Sequence, residues 1–90
     1  MTEMKKLQRW LDKNGIKYLN NIDDINQIVI EKAIVNEKGQ KDHKALAFAC
    51  NWGTMGYLEG LIEMYDFQNE PTGFMTAKEC IEEIKEFELI

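Results

Sequence analysis

Hydrophobic residues recur with the period of an α-helix at both ends of the chain. Near the start, Thr2 can cap a helix, and Asn14-Gly15 can end it. Between them, four apolar side chains follow at helical spacing: Met4, Leu7, Trp10 and Leu11. Near the end, Thr76 to Glu79 matches a capping box, and one apolar stripe follows: Ala77, Cys80, Ile81, Ile84 and Phe87. The pattern predicts an amphipathic helix over 3–14 and a second one after Thr76.

The middle of the chain has the pattern of β-strands. β-branched residues dominate from Asn26 to Val35, and the polar stretch 36–42 suits a hairpin connection. From Lys44 to Trp52, bulky side chains (Leu46, Phe48, Cys50 and Trp52) alternate with small ones (Ala45, Ala47, Ala49 and Asn51). We expect the bulky face to join the core. The alanine face is then either a shallow outer surface or a contact surface for a close neighbour. Residues 16–19 predict a further short strand.

Residues 57–66 allow two interpretations. Leu58, Leu61, Ile62 and Tyr65 have helical spacing, whereas a strand over 61–67 is the alternative. The stretch 68–73 contains the only proline and predicts a loop. We therefore expect an α+β fold in one domain, residues 1–90, with a small, mainly antiparallel sheet of three to four strands. The N-terminal and C-terminal amphipathic helices should pack on one face of that sheet.

Charge is unevenly distributed along the chain. The formal net charge is −5, which argues against direct binding of a nucleic-acid backbone. Residues 1–44 carry nine Lys or Arg and seven Asp or Glu, whereas residues 45–90 carry two and nine. The last helix has an acidic face that includes Glu79, Glu82, Glu83 and Glu86. This face is either ordinary solvated surface or a docking surface for a basic partner.

The sequence offers little catalytic chemistry. Cys50 and His43 form the obvious nucleophile and base, but they are seven positions apart, which in a regular strand is roughly 23 Å at about 3.3 Å per residue. Gly53 and Gly56 flank a turn with no nearby lysine or arginine to support a phosphate. One histidine and two cysteines do not form a zinc motif. We predict no catalytic residue, no cofactor and no metal site.

Large side chains cluster in or beside glycine-containing loops: Trp52, Met55, Tyr57 and Phe74. Aromatic residues and methionine held at turns make good contacts for a protein partner. In so small a domain, the same side chains could equally be needed to complete the core. Both interpretations remain open at the level of sequence.

Cellular context follows from what the chain lacks. No apolar run approaches the roughly 20 residues of a membrane span. The first residues do not have the pattern of a secretory signal, and two cysteines do not form a disulfide scaffold. We expect a cytoplasmic protein in a bacterial cell that does not contact a membrane.

One stretch suggests a genomic setting. Residues 52–64 (WGTMGYLEGLIEM) combine a Gly/Tyr turn with a Glu-Gly-Leu run, and residues 73–79 (GFMTAKE) lead into the last helix. The chain thereby resembles a group of small, uncharacterised phage and prophage proteins of low-GC Gram-positive bacteria, although Met55 stands where an aromatic residue is expected. The resemblance implies a genomic setting and no catalytic residues. Small acidic phage proteins include inhibitors of host defence nucleases.

These observations favour a non-enzymatic protein-interaction module, encoded by a phage or prophage, that binds a protein partner. An acidic inhibitor of a host nucleic-acid-binding defence protein, similar to an anti-CRISPR protein, is the first alternative. A small enzyme that uses Cys50 is the second alternative. A homodimer is compatible with the alanine face.

Overall fold

The computed structural model describes residues 1–89, and Ile90 lies outside them. Its elements follow in this order: α1 (Glu3–Lys13), β1 (Leu19–Asn21), α2 (Ile22–Ile25), β2 (Gln27–Val35), β3 (Lys41–Ala49), a 3₁₀ turn (Tyr57–Glu59), β4 (Ile62–Tyr65), β5 (Thr72–Met75) and α3 (Ala77–Glu86). The predicted α+β class is confirmed.

The sheet has five strands in the order in which they occur along the chain, and every neighbouring pair is antiparallel. The predicted number of three to four strands was therefore too low. β1 begins only at Leu19, because residues 15 and 16 complete the end of α1. The first two residues of β5, 72 and 73, belong to the predicted loop 68–73, and the strand continues to Met75. Pro71 and Gly73 conceal the strand pattern in the sequence.

One face of the sheet forms the core. In the register of β2 and β3, Ile28 lies opposite Phe48 and Ile30 lies opposite Leu46, and all four are buried. They join one cluster with the buried residues of both helices: Met4, Leu7 and Leu11 of α1 and Ala77, Cys80 and Ile84 of α3. Both terminal helices therefore pack against the same face, as the apolar stripes predict.

The two long helices run side by side in the same direction. Glu3, the first residue of α1, accepts a hydrogen bond of 2.8 Å from the backbone N–H of Ala77, the first residue of α3. Further along, the Nζ atom of Lys85 lies 5.9 Å from the centre of the Trp10 ring. The predicted capping box is present, because Thr76 and Glu79 exchange hydrogen bonds at the start of α3.

Both long helices end in a Schellman motif. At α1, the N–H of Gly15 donates to Asp12 and that of Ile16 to Leu11; at α3, the N–H of Glu88 donates to Lys85 and that of Leu89 to Ile84. The motif requires a left-handed residue, which is Gly15 (φ 66°) in one case and Glu88 (φ 57°) in the other. Only the first is relieved of the steric cost of a β-carbon.

The contrast between the two helix ends gives a test of backbone strain. We expect Glu88→Gly to be more stable than Glu88→Ala by about 1 kcal/mol, because both remove the carboxylate but only glycine relieves the left-handed backbone. Urea denaturation of the two variants measures the difference. The ion pair between Glu88 and Lys44 is exposed and 3.8 Å long, so its loss should contribute little. Equal stability of the two variants would contradict the strain.

Glu3 gives a test based on pH. Hydrogen bonds from Lys6 and from the Ala77 N–H lower the pKa of this carboxyl group below its usual value. A lowered pKa in the folded state stabilises the fold above the unfolded pKa, and the gain is lost as the pH falls through the folded value. Glu3→Gln should therefore cost about 1–2 kcal/mol at pH 7, and less and less below about pH 4. Denaturation curves across that range, with Glu37→Gln in the exposed hairpin turn as control, measure the effect. A pH-independent difference would contradict it.

Candidate functional site

β3 ends at Ala49, before Cys50 and Trp52, the last two residues that sequence reasoning placed on its bulky face. The N–H of Asn51 donates to the hydroxyl oxygen of Thr54, and the N–H of Thr54 donates to the carbonyl oxygen of Asn51, each at 3.0 Å. These two hydrogen bonds close a tight turn. The side chain of Asn26 donates to the carbonyl of Cys50 at 2.8 Å and ties this turn to the start of β2. Trp52 consequently lies on the turn with 85% of its surface exposed, and its predicted place on the core face was wrong.

Residues 57–66 do not form the helix that their spacing indicates. They form a single 3₁₀ turn, Tyr57–Glu59, followed by strand β4. Gly56 and Gly60 both have left-handed backbones and limit the turn to the residues between them. The alternative, a strand in this region, is confirmed. The helical spacing assigned Leu58 to an apolar stripe, but this residue is 87% exposed. Gly56 and Gly60 were the signal in the sequence that the segment does not continue as a helix.

The turn packs tightly on strand β5. A β-carbon at Gly73 would lie 2.2 Å from the Cβ atom of Met55, and one at Gly56 would lie 3.1 Å from the backbone of Phe74. These glycines allow two backbones to approach each other more closely than side chains would permit. The N–H of Phe74 donates to the Met55 carbonyl at 3.4 Å, and the N–H of Leu61 donates to the Gly56 carbonyl at 2.9 Å. The turn is therefore held in place by β5.

β5 carries a bulge at the point of contact. Ile62 pairs with Met75 and Met64 pairs with Thr72, so β5 contains one residue more than β4 across this interval. Phe74 lies in this irregularity with a φ of 57°, and its side chain is 57% exposed. A bulky residue with positive φ costs about 1 kcal/mol or more. The fold bears this cost although the aromatic ring is largely in solvent.

Five partly or largely exposed side chains make up this end of the molecule, which we call the apolar patch: Trp52, Met55, Tyr57, Leu58 and Phe74. The four apart from Met55, together with residues 53, 54, 56 and 59, line a cleft of about 520 Å³. The rings of Trp52 and Tyr57 meet edge to face, with centroids 6.0 Å apart. The structure thus brings together all four loop side chains that the sequence singled out.

The acidic side chains of α3 have more varied surroundings. The carboxylate of Glu79 accepts hydrogen bonds from the N–H and the hydroxyl of Thr76, at 3.0 and 3.1 Å, so it serves the helix cap. Glu83 is half-buried, whereas Glu82 and Glu86 are exposed. Glu79 is exposed as well, but its carboxylate is engaged in the cap, so Glu82 and Glu86 are the two exposed residues of the predicted acidic face that lie one helical turn apart outside the cap.

The cysteines lie in apolar surroundings. Burial raises the pKa of the Cys50 thiol, and burial with nearby glutamates raises that of Cys80 to about 12. His43 lies near the other end of β3, where its Nδ1 atom is 3.4 Å from a carboxylate oxygen of Glu31. Cys50 and His43 therefore do not form a nucleophile and base pair.

The sheet face opposite the helices carries the alanine stripe. Ala47 and Ala49 are buried between larger neighbours: Val29 and Tyr65 flank the first, and Gln27 and Glu63 flank the second. The rings of Tyr65 and Phe67 pack against each other at this face, with centroids 4.9 Å apart and planes tilted at 53°. These two residues and their neighbours line a cleft of about 250 Å³. Sequence reasoning did not single out this aromatic pair, because it left residues 57–66 open between a helix and a strand.

Comparison with known proteins adds no relative. The chain matches no protein-family model, no curated protein and no solved structure. Within residues 1–89, no group of three or more His, Cys, Asp or Glu side chains is arranged to hold a metal ion. In the same range, no helix has the length and apolar character required to cross a membrane.

Thiol labelling tests the Cys-dependent alternative. In the native protein at pH 8, iodoacetamide should modify Cys50 more slowly than in the unfolded chain, because burial disfavours the reactive thiolate. Cys80 should react only after denaturation. Peptide mapping by mass spectrometry, with and without guanidinium chloride, measures both rates. Faster labelling of Cys50 in the native state would instead support a catalytic thiol.

Proposed function

We propose that this chain is a non-enzymatic protein-interaction module, encoded by a phage or prophage, whose partner binds the apolar patch. The observation that carries the proposal is the backbone of Phe74. A positive φ at a bulky residue, with more than half of its side chain in solvent, costs stability and contributes little to the core. A partner that buries this ring would gain binding free energy from the side chain that the strained backbone exposes.

The composition of the patch also supports a protein partner. Tryptophan and tyrosine are enriched among the residues that contribute most to binding, and they lie here beside two aliphatic or thioether side chains. The backbone hydrogen bonds of the turn and its packing on Gly73 hold these side chains before a partner arrives. Such preorganisation lowers the entropy lost on binding.

The phage or prophage origin rests on the resemblance of residues 52–64 and 73–79, and the cytoplasm of the bacterial host follows from that setting.

An acidic inhibitor of a nucleic-acid-binding defence protein is the second candidate. Glu82 and Glu86, exposed one turn apart on α3, favour it. A partner bound through these carboxylates would lose affinity steeply with salt, whereas one bound mainly through the apolar side chains of the patch would lose less.

Substitution of Phe74 tests the proposal. The tagged wild-type chain is used to capture a partner from a lysate of a low-GC Gram-positive host, and the variants are then compared on the purified partner. Phe74→Ala and Phe74→Gly should each weaken binding by about tenfold or more, because both remove the ring. Phe74→Gly should also be more stable than Phe74→Ala by about 1 kcal/mol, because only glycine relieves the positive φ.

The control is Val35→Ala at the far end of the β2–β3 hairpin, where Val35 is 69% exposed. This variant should bind like the wild type. Unchanged affinity in both Phe74 variants, or capture of no partner, would contradict the proposed function. Loss of binding in Glu82→Gln/Glu86→Gln but not in the Phe74 variants would favour the acidic inhibitor.

A further inference from the structure

Two aromatic rings form adjacent walls of the cleft in the apolar patch. The planes of the Trp52 and Tyr57 rings meet at 79°, with their centroids 6.0 Å apart. Phe74 and Leu58 extend the apolar lining of the same cleft. A group that enters this corner contacts two aromatic surfaces, and the negative face of an aromatic ring attracts a cation.

The residues that line the cleft include one charged side chain, and it is a carboxylate. Glu59 is the only Asp, Glu, Lys or Arg among its lining residues, all of which belong to the described residues 1–89. An adjoining cleft on the other side of Tyr57 and Leu58 is lined by neutral polar and apolar residues. Along the chain, no lysine or arginine occurs from residue 45 to residue 77. An anionic ligand would therefore meet no basic side chain here, whereas a cation would meet a carboxylate.

Rings and carboxylate together suit a guanidinium group better than an ammonium group. A guanidinium is planar, stacks on aromatic faces, is weakly hydrated and offers several N–H donors to a carboxylate. The chain's own rings already lie near cations: the Nζ atom of Lys44 is 5.5 Å from the centre of Phe87, and that of Lys85 is 5.9 Å from Trp10. The ring of Trp52, by contrast, is largely open to solvent.

We propose that the cleft binds an arginine side chain carried by a basic segment of the protein partner. Its guanidinium packs against Trp52 and Tyr57, and its N–H groups point to the carboxylate of Glu59. This inference rests on the proposed function, because it names the chemistry of the contact that the partner makes with the apolar patch.

The experiment uses three short synthetic peptides that differ only at two central positions: arginine, lysine or citrulline. Citrulline has nearly the shape of arginine but no charge. Each peptide is titrated into the ¹⁵N-labelled full chain. The two indole N–H signals report directly, because Trp52 lines the cleft and Trp10 lies half-buried beneath Lys85. We expect the arginine peptide to shift the Trp52 signal and leave the Trp10 signal in place.

The wild-type comparison needs no variant that could fail to fold. The citrulline peptide should bind about tenfold more weakly than the arginine peptide, and the lysine peptide should lie between them. Equal binding of the arginine and citrulline peptides, no shift at Trp52, or binding of the lysine peptide as tight as that of the arginine peptide would overturn the proposal.

Variants then separate the cleft from the general acidity of the chain. Glu59→Gln and Tyr57→Leu should each weaken binding of the arginine peptide several-fold. The control is Glu82→Gln/Glu86→Gln on α3, which removes two charges outside the cleft and should leave the Trp52 shift intact. If that control weakens binding as much as Glu59→Gln does, the peptide is held by general electrostatic attraction and the proposal fails.

The proposed function and this inference can fail independently. A partner that needs the Phe74 ring, together with peptides that leave Trp52 unmoved, would leave the interaction module standing and remove arginine as its contact. If the cleft selects arginine but the Phe74 variants bind the partner normally, the arginine site stands and the proposed function of the apolar patch is contradicted.

Discussion

The parallel packing of α1 and α3 is the constraint on which the rest of this structure depends. It brings two helix N-termini together, and their partial positive charges repel each other. The carboxylate of Glu3 compensates, because it lies in the first turn of α1 and accepts the N–H of Ala77 at the start of α3. At the other end of α3, Lys32 and Lys44 donate to the carbonyls of Glu88 and Phe87. The sheet thus supplies the cations that the helix end needs.

The position of the apolar patch follows from this packing. Thr76 caps α3 immediately after β5 ends at Met75, so the contact with Glu3 also fixes where β5 ends. β5 in turn holds the turn that bears Tyr57 and Leu58, through the close approach of Gly73 to Met55. An exposed surface far from the centre of the core is therefore positioned by a short series of buried and polar contacts. This is how a chain of 90 residues can hold several large apolar side chains in solvent.

The sequence predicted the elements whose signals are local. The capping box at Thr76, the stop at Asn14-Gly15 and the alternation along β3 each depend on a few neighbouring residues, and each is present. The segment 57–66 misled because Leu58, Leu61, Ile62 and Tyr65 share helical spacing by coincidence, while glycines leave room for one turn only. The sequence was sufficient to name the loop aromatics as candidates, but it could not predict whether they are exposed or buried. The positive φ of Phe74 occurs where Gly73 packs closely on Met55, whereas a local rule would have assigned that backbone to Gly73.

The order of elements along the chain has a consequence for synthesis. The first helix and the last one share a single core cluster with the sheet between them. A growing chain that lacks α3 has β2 and β3 available, but the apolar side formed by Ile28, Ile30, Leu46 and Phe48 has only α1 to cover it. Contacts between residues more than 70 positions apart, such as Glu3 with Ala77, form only after all the residues between them have been synthesised. The core cluster therefore cannot be completed before α3 has been synthesised, and until then part of the apolar side of the sheet lacks its cover.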